Sequence, residues 1–183
     1  ISKKVKEFGK DNVVMGEVWE DASTKISYSS RRSYFTNNEL NSVMNYPVKE
    51  TILNYIKTKS TFELCSTLRM LQNNYPKVVL DNLMNFLSTH DTGRMFTDLI
   101  NIADGDRKKA TKLMKIASLL TFTLPGVPSI FYGDEYGMEN NDNSSRGCFD
   151  WNNYNNEIFA WYKKLSGIRK YTVMKDGEMN ILY

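Results

Sequence analysis

Short apolar runs alternate with longer amphipathic stretches along this chain. Each run is rich in β-branched or aromatic residues and closes on a turn or polar residue. Continuous apolar runs of this length are typical of strands that are buried on both faces of a parallel sheet. The pattern therefore predicts four parallel strands within residues 12–18, 41–47, 83–91 and 127–135.

The amphipathic stretches predict helices, because their apolar residues recur at helical spacing. Ser60 and Asp106 stand where a helix cap is expected. In the second stretch an i, i+3 series predicts the buried face, formed by Phe62, Cys65, Leu68 and Leu71. The predicted helices cover residues 47–59, 60–74, 106–124 and 155–170.

The order of strand and helix, repeated four times, is typical of βαβ units with right-handed crossovers. A doubly wound sheet often carries a glycine-rich phosphate turn, and neither G-x-G-x-x-G nor G-x-x-x-x-G-K-[ST] occurs. A (β/α)8 barrel places its active groups just past the strand ends and needs about 250 residues. The four units therefore predict half of such a barrel, and the strand ends carry Glu17, His90, Asp91, Asp134 and Glu135.

Composition narrows the class of protein without naming a function. With 41% apolar and 25% charged residues, the 183-residue chain is expected to be globular. The net charge is +3 and the basic residues are scattered, so neither nucleic acid nor an anionic membrane is an expected partner. No apolar run reaches the length of a membrane span. Cys65 and Cys148 are interpreted as free thiols.

Glu17 is the first candidate for acid–base chemistry. It follows Gly16 at the end of the first apolar run and is followed by Val18 and Trp19. Apolar surroundings favour the protonated form of a carboxyl group, which is the form that a general acid requires. The alternative is a glutamate at a strand end that points into water.

Asp91 is the second candidate, and it follows His90, the single histidine of the chain. The alternative is an aspartate that caps a helix beside a structural histidine. One histidine and no suitably placed thiol give little support for a catalytic triad or a zinc site. Two carboxylates from neighbouring strands are compatible with glycoside hydrolysis, and the abundant Tyr and Trp residues suit sugar stacking, although most aromatic side chains are core.

Three motifs, "MGEVWED", "FLSTHDTGRM" and "LTFTLPGVPSIFYGDEYGM", resemble in order three motifs of the α-amylase superfamily of glycoside hydrolases. The likeness is to neopullulanase, cyclomaltodextrinase and α-amylase-like members, and it covers nearly the whole chain. The resemblance implies strands five to eight of the catalytic (β/α)8 barrel in residues 1–170. It implies the first strand of a C-terminal β domain in residues 171–183.

The resemblance also implies residue roles. Glu17 is expected to be the general acid/base, and Asp91 is expected to stabilise the sugar at the transition state. The residues expected to bind substrate are His90, Trp19, Arg94 and Arg146, the last of them in the loop 139–150. The oxygen-rich loop 139–150 could also hold a hard cation, but the expectation is a solvated loop without metal or other cofactor, with Ca²⁺ possible in a longer parent protein.

Two departures from the family pattern bear on activity. Thr89 precedes the histidine where the family has Asn or Ser, and the nucleophile pattern G-x-R-x-D-x-x-x-H does not occur. We expect a fragment of a retaining α-glucan hydrolase for starch, pullulan or cyclodextrins, inactive alone and self-associating through unpaired outer strands. The alternatives are a catalytically silent amylase-like assembly or binding protein and a nucleic-acid binder. The compartment, cytoplasmic or secreted, is left open.

Overall fold

The computed structural model describes residues 1–37, 39–141, 144–152 and 154–182. The strands are β1 (Met15–Gly16), β2 (Ile26–Ser27), β3 (Ser30–Arg31), β4 (Ser42–Val43), β5 (Met84–Asn85) and β6 (Val127–Pro128). The helices are α1 (Ser2–Glu7), α2 (Tyr46–Thr58), α3 (Thr61–Asn74), α4 (Lys77–Leu80), α5 (Met95–Ile102), α6 (Arg107–Thr123), α7 (Asn156–Ile168) and α8 (Thr172–Asp176). A 3₁₀ turn spans Asp134–Tyr136.

Four parallel strands lie side by side in chain order, one within each predicted apolar run. β1 pairs with β4, and β5 pairs with β6, through parallel ladders of two residues each. A parallel bridge between Met44 and Met84 joins the two pairs. The backbone amide of Asn45 also donates to the Met84 carbonyl at 2.9 Å. The prediction of four neighbouring parallel strands is therefore confirmed, although the regular ladders are shorter than the apolar runs.

The four predicted helices are confirmed as α2, α3, α6 and α7, with ends that agree within two residues. Asp106 caps α6, because its carboxylate accepts from the backbone amides of Lys108 and Lys109. Ser60 precedes α3, but its side chain makes no capping hydrogen bond. α2 packs on α3, α5 on α6, and α6 on both α7 and α2, which encloses one apolar core. No helix of the described residues is long and apolar enough to cross a membrane.

The buried face of α3 differs from the prediction. Its buried residues are Leu64, Leu68 and Leu71, whereas Phe62 is 79% exposed and Cys65 is half-buried. The observed spacing of four and then three residues follows the helical repeat of 3.6, whereas a strict i, i+3 series drifts around the helix. Phe62 is therefore a surface residue.

The connection between β1 and β4 holds no helix in its described residues, so the predicted alternation of strand and helix is wrong at its first step. β2 and β3 form an antiparallel hairpin there. Tyr28 and Ser29 at its tip both adopt positive φ, of 51° and 62°. Two consecutive residues of this kind give the turn whose twist matches a hairpin. The segment also lacks the apolar periodicity that a helix on the sheet would need.

The segment 171–183 was predicted to contain the first strand of a β domain, and that strand is not found in its described part. Thr172–Asp176 forms α8 instead. A strand needs a neighbouring strand for its backbone hydrogen bonds, but the following residues lie against α3. The Gln72 amide donates to the Met179 carbonyl at 2.8 Å, and Met179 and Ile181 pack against the core. The boundary at residue 170 stays a prediction.

The side chains of two buried asparagines form hydrogen bonds across the interior face of the sheet. Asn45 is 2% and Asn85 1% exposed. Asn45 Nδ2 donates to Asn85 Oδ1 at 2.7 Å, and Asn85 Nδ2 donates to the carbonyl of Pro125 at 2.9 Å. The side-chain amides thus connect the end of β4, then β5, then the residues before β6.

Candidate active site

The candidate residues gather at one edge of the sheet, past the C-terminal ends of the parallel strands. Glu17 follows β1, Tyr46 follows β4, and the segment 89–91 follows β5. Parallel neighbouring strands bring their C-terminal ends to the same edge. The sequence-based expectation that Glu17 and Asp91 face one site is therefore compatible with the topology.

Glu17 is held by two aromatic donors. Trp19 Nε1 and the Tyr46 hydroxyl each donate to Glu17 Oε1 at 3.1 Å. The Trp19 and Tyr46 rings are stacked, with centroids 4.6 Å apart and planes 12° apart. Among the described residues no donor contacts the other carboxylate oxygen, Oε2. One oxygen of Glu17 is thus fixed, and the other is open to an incoming group.

The surroundings of Glu17 are only partly as predicted. Val18 is buried in the core, which leaves Glu17 and Trp19 on the solvent side of the chain. Trp19 is 51% exposed, and Glu17 is also exposed. The carboxyl group therefore has aromatic rings on one side and solvent on the other, rather than the apolar enclosure that the sequence suggested.

Tyr46 is a buried aromatic donor to Glu17. Its side chain is 1% exposed, and burial raises the pKa of its hydroxyl above the ordinary value. A hydrogen bond with Thr89 opposes this shift, and the negative charges of Glu17 and Asp91 reinforce it. Glu17 thus contacts this phenol directly, and Asp91 acts on it through its charge. Sequence reasoning missed Tyr46, although it ends the second apolar run just as Glu17 ends the first.

His90, Asp91 and Arg146, all predicted site residues, lie together in the structure. His90 Nε2 is 3.2 Å from Asp91 Oδ2. Arg146 Nη2 donates to Asp91 Oδ1 at 2.7 Å, and Arg146 Nε donates to the His90 carbonyl at 2.9 Å. All three side chains are exposed, so they are accessible to a ligand from solvent.

Thr89 shapes the turn that presents Asp91. Its hydroxyl accepts from the backbone amides of Asp91 and Thr92, both at 3.2 Å. α5 begins later, at Met95, so Asp91 is not a helix cap and that alternative is wrong. The hydroxyl at position 89 therefore has a structural use in this turn.

Arg94 does not line the site, which corrects the expectation from the resemblance. Its side chain is fully buried. Nε donates to the Ser145 carbonyl at 3.0 Å, Nη1 donates to the Tyr132 carbonyl, and Nη1 lies 3.4 Å from Asp134 Oδ1. Ser145 in turn donates through Oγ to the His90 carbonyl at 3.2 Å. Arg94 thus supports, from below, the segments that carry Arg146 and His90.

Asp134 is a buried acid beneath the site. Its burial raises the pKa to about 7, while hydrogen bonding with Ser88 and the charge of Arg94 oppose the shift. Asp134 is 2% exposed and therefore cannot contact a substrate directly.

The oxygen-rich loop shows no metal site in its described part. Asp142 and Asn143 of the predicted loop lie outside the described residues. Within the described ranges, no three Asp, Glu, His or Cys side chains lie close enough together to hold a metal ion. Asn140 anchors the loop, since its Oδ1 accepts from the Arg94 amide at 2.8 Å.

Relatives of known activity match this chain over nearly its whole length. A cyclomaltodextrinase from Bacillus sp. is 30% identical over 97% of this chain, which corresponds to 30% of the relative. An amylopullulanase from Thermoanaerobacter thermohydrosulfuricus is 31% identical over 93% of this chain and 12% of the relative. The chain thus spans less than a third of the length of these curated relatives.

Solved structures give the same result. The type III pullulan hydrolase from Thermococcus kodakarensis superposes with a TM-score of 0.82 at 26% identity, over 96% of this chain and 31% of that one. The α-amylase from Geobacillus thermoleovorans, complexed with acarbose, superposes with a TM-score of 0.81 at 25% identity, over 100% of this chain and 39% of that one. The family model of the α-amylase catalytic domain matches residues 1–156. The chain therefore belongs to the α-amylase family of glycoside hydrolases, through its catalytic domain.

Proposed function

We propose that this chain supplies the acid–base part of an α-glucan hydrolase. Glu17 is the general acid/base and Asp91 stabilises the sugar ring in the transition state. The observation that supports this proposal is the position of Tyr46, whose hydroxyl donates to Glu17 at 3.1 Å. Burial raises the pKa of this hydroxyl, and the charges of Glu17 and Asp91 raise it further.

Glu17 is suited to transfer a proton through one oxygen. The two donors to Oε1, from Trp19 and Tyr46, fix the orientation of the carboxyl group. Oε2 then carries the proton to the glycosidic oxygen as the bond to the leaving sugar breaks, and the carboxylate later takes a proton from the attacking water. The stack of Trp19 on Tyr46 keeps this geometry when the ligand is absent.

Asp91 faces the positive charge that develops on the sugar ring. Oxocarbenium character in the transition state is stabilised by a nearby negative charge. His90 and Arg146 contact Asp91 in the free chain. Sugar hydroxyl groups compete with these exposed contacts when substrate binds, so that His90 and Arg146 bind the ring that Asp91 stabilises.

The substrates follow from the relatives. They are named cyclomaltodextrinase, amylopullulanase and pullulan hydrolase, and one of the solved structures holds acarbose. We therefore assign α-1,4 and α-1,6 glucosidic bonds of starch, pullulan or cyclodextrins. The four strands correspond to strands five to eight of the barrel. No G-x-R-x-D-x-x-x-H pattern occurs in the 183 residues, so the chain alone forms no covalent glycosyl intermediate and releases no sugar.

We also propose that the isolated chain self-associates. In the described residues β1 pairs only with β4, and β6 only with β5, so each has one free edge. Val13 beside β1 is 67% exposed, and Val127 is also exposed. Free edges and exposed apolar residues favour pairing with a second copy. Light scattering that shows a monomer across a wide concentration range contradicts this proposal.

A fused barrel tests the catalytic assignment. The barrel strands that this chain does not supply are taken from the Bacillus cyclomaltodextrinase and fused to it. Release of reducing sugar from β-cyclodextrin, pullulan and starch is then measured. Glu17→Gln should lower the rate roughly 10²- to 10⁴-fold. The matched control is Glu20→Gln, because Glu20 is exposed and paired with Lys25, and it should change the rate less than twofold.

Three results contradict the proposal. They are an active Glu17→Gln fusion, sugar release by the unfused chain, and a fusion that binds acarbose but never turns over any of the three substrates. The last result favours the catalytically silent alternative.

A further inference from the structure

An aromatic cluster shares no residue with the candidate active site, and the proposed mechanism does not use it. We define the cluster as Tyr136, Phe149, Trp151, Tyr154 and Phe159. Trp151 is 77% exposed, although an indole is a costly group to leave in water. Its ring centroid lies 4.6 Å from that of Phe149, which lies 5.1 Å from that of Tyr136. Large exposed apolar groups that are assembled into one patch indicate a binding surface.

The cluster rests on a rigid base. Tyr136 stacks on Phe159 of α7, with centroids 4.7 Å apart and planes 10° apart, and meets Tyr154 at 4.6 Å. The Asn155 amide donates to the Tyr136 carbonyl at 3.0 Å. Asn155 also caps α7 through its side chain. Tyr136, Tyr154 and Phe159 are therefore held in place before any ligand arrives, which lowers the entropy cost of binding.

A cavity of about 360 Å³ adjoins these rings. Its lining includes Phe96, Arg107, Glu139, Phe149, Asp150 and Asn155. Arg107 and Glu139 form an ion pair, so hydrogen-bond donors and acceptors stand beside aromatic faces. A glucose ring has the matching chemistry, with apolar C–H faces and hydroxyl groups around its edge. The negative charges of Glu139 and Asp150 repel a phosphate-bearing ligand.

We propose that the aromatic cluster and this cavity form a second α-glucan-binding surface, separate from Glu17 and Asp91. The ligand class rests on the proposed function of the chain. Sugar rings stack on Trp151 and Phe149, and the hydroxyl groups contact Arg107 and Glu139. The surface binds a glucan without cleaving it, since neither Glu17 nor Asp91 is one of its residues.

The three tryptophans of the chain give an internal test. Maltoheptaose is titrated into the ¹⁵N-labelled chain, and the indole N–H resonances are followed by NMR. Trp19 reports the candidate active site and Trp151 reports the second surface. Trp161 serves as the reference, because its indole donates to the Lys115 carbonyl at 3.0 Å and is half-buried. The Trp19 and Trp151 resonances should shift, and that of Trp161 should not.

The outcomes separate the two proposals. A shift of Trp151 without Trp19 supports the second surface and refutes the active-site assignment. A shift of Trp19 without Trp151 supports the active-site assignment and refutes the second surface. If neither resonance shifts, both proposals are refuted.

A substitution tests the same inference by affinity. Trp151→Ala should weaken retention on amylose about 3- to 10-fold, the range expected for one aromatic contact. Phe62→Ala is the matched control, because Phe62 is equally exposed on α3, and it should leave retention unchanged. Equal retention by the two variants overturns the inference.

Discussion

Arg94→Lys provides a sharp test of how the site is supported. Arg94 keeps its positive charge in this variant but loses the planar fork that donates from two nitrogens at once. In the structure those nitrogens reach the carbonyls of Ser145 and Tyr132, which belong to different loops. A single ammonium group cannot span both acceptors, so one of the two carbonyls loses its partner beside the buried side chain.

The expected cost follows from the burial of the pair. A hydrogen bond to a charged group contributes about 1.5–3 kcal/mol, and a stranded buried acceptor costs about 1–3 kcal/mol more. The two figures overlap, because both include the desolvation of the same carbonyl. We therefore expect Arg94→Lys to lower the free energy of unfolding by about 2–4 kcal/mol.

Urea unfolding followed by circular dichroism measures this loss. Arg107→Lys is the matched control, since Arg107 forms an ion pair with Glu139 on the surface and such pairs contribute roughly 0–1 kcal/mol. If the two variants are equally stable, the argument that Arg94 joins two loops is wrong. Arg94→Lys should also weaken acarbose binding, because Ser145 carries the support on to His90.

Two further predictions concern Tyr46 and Asp134. Tyr46→Phe removes the donor to Glu17 but keeps the stack on Trp19, so kcat/KM of the fused barrel should fall about tenfold, equal to about 1.4 kcal/mol; an unchanged kcat/KM contradicts the assignment of Glu17. Asp134 has a folded pKa of about 7, above its ordinary 3.8, so between these pH values the folded chain holds a proton that the unfolded chain releases. The free energy of unfolding should therefore fall as pH rises from 4 to 7, by at most about 1.4 kcal/mol per pH unit. Asp134→Asn should remove this slope in urea titrations at several pH values, and an unchanged slope assigns it to another group.

The sequence predicted most of the fold because burial leaves a clear pattern. The four apolar runs became neighbouring parallel strands, and four helices were found near their true ends. The hairpin tip at Tyr28 and Ser29 was missed because neither is glycine, and positive φ is uncommon for other residues. α5 was missed as well, since it is short and directly follows the H-D motif.

For the candidate site, the sequence predicted residues but not how deeply each of them is buried. Glu17 and Asp91 were recognisable from strand ends and motifs, whereas Tyr46 reads as one more core aromatic. Arg94 illustrates the limit more clearly. A motif places an arginine near a site, but only the packing of the Ser145 and Tyr132 segments determines that it lies buried beneath the site.

The buried asparagines bear on how a sheet with so few ladder bonds keeps one alignment. Each regular ladder here covers two residues, so sliding a strand by one residue would break few main-chain contacts. The bonds from Asn45 to Asn85, and from Asn85 to the Pro125 carbonyl, form only in the observed register. A slipped strand would leave these amides unsatisfied in an apolar interior. Leucine at both positions would remove these bonds, and the observed alignment would then be less strongly favoured over a slipped one.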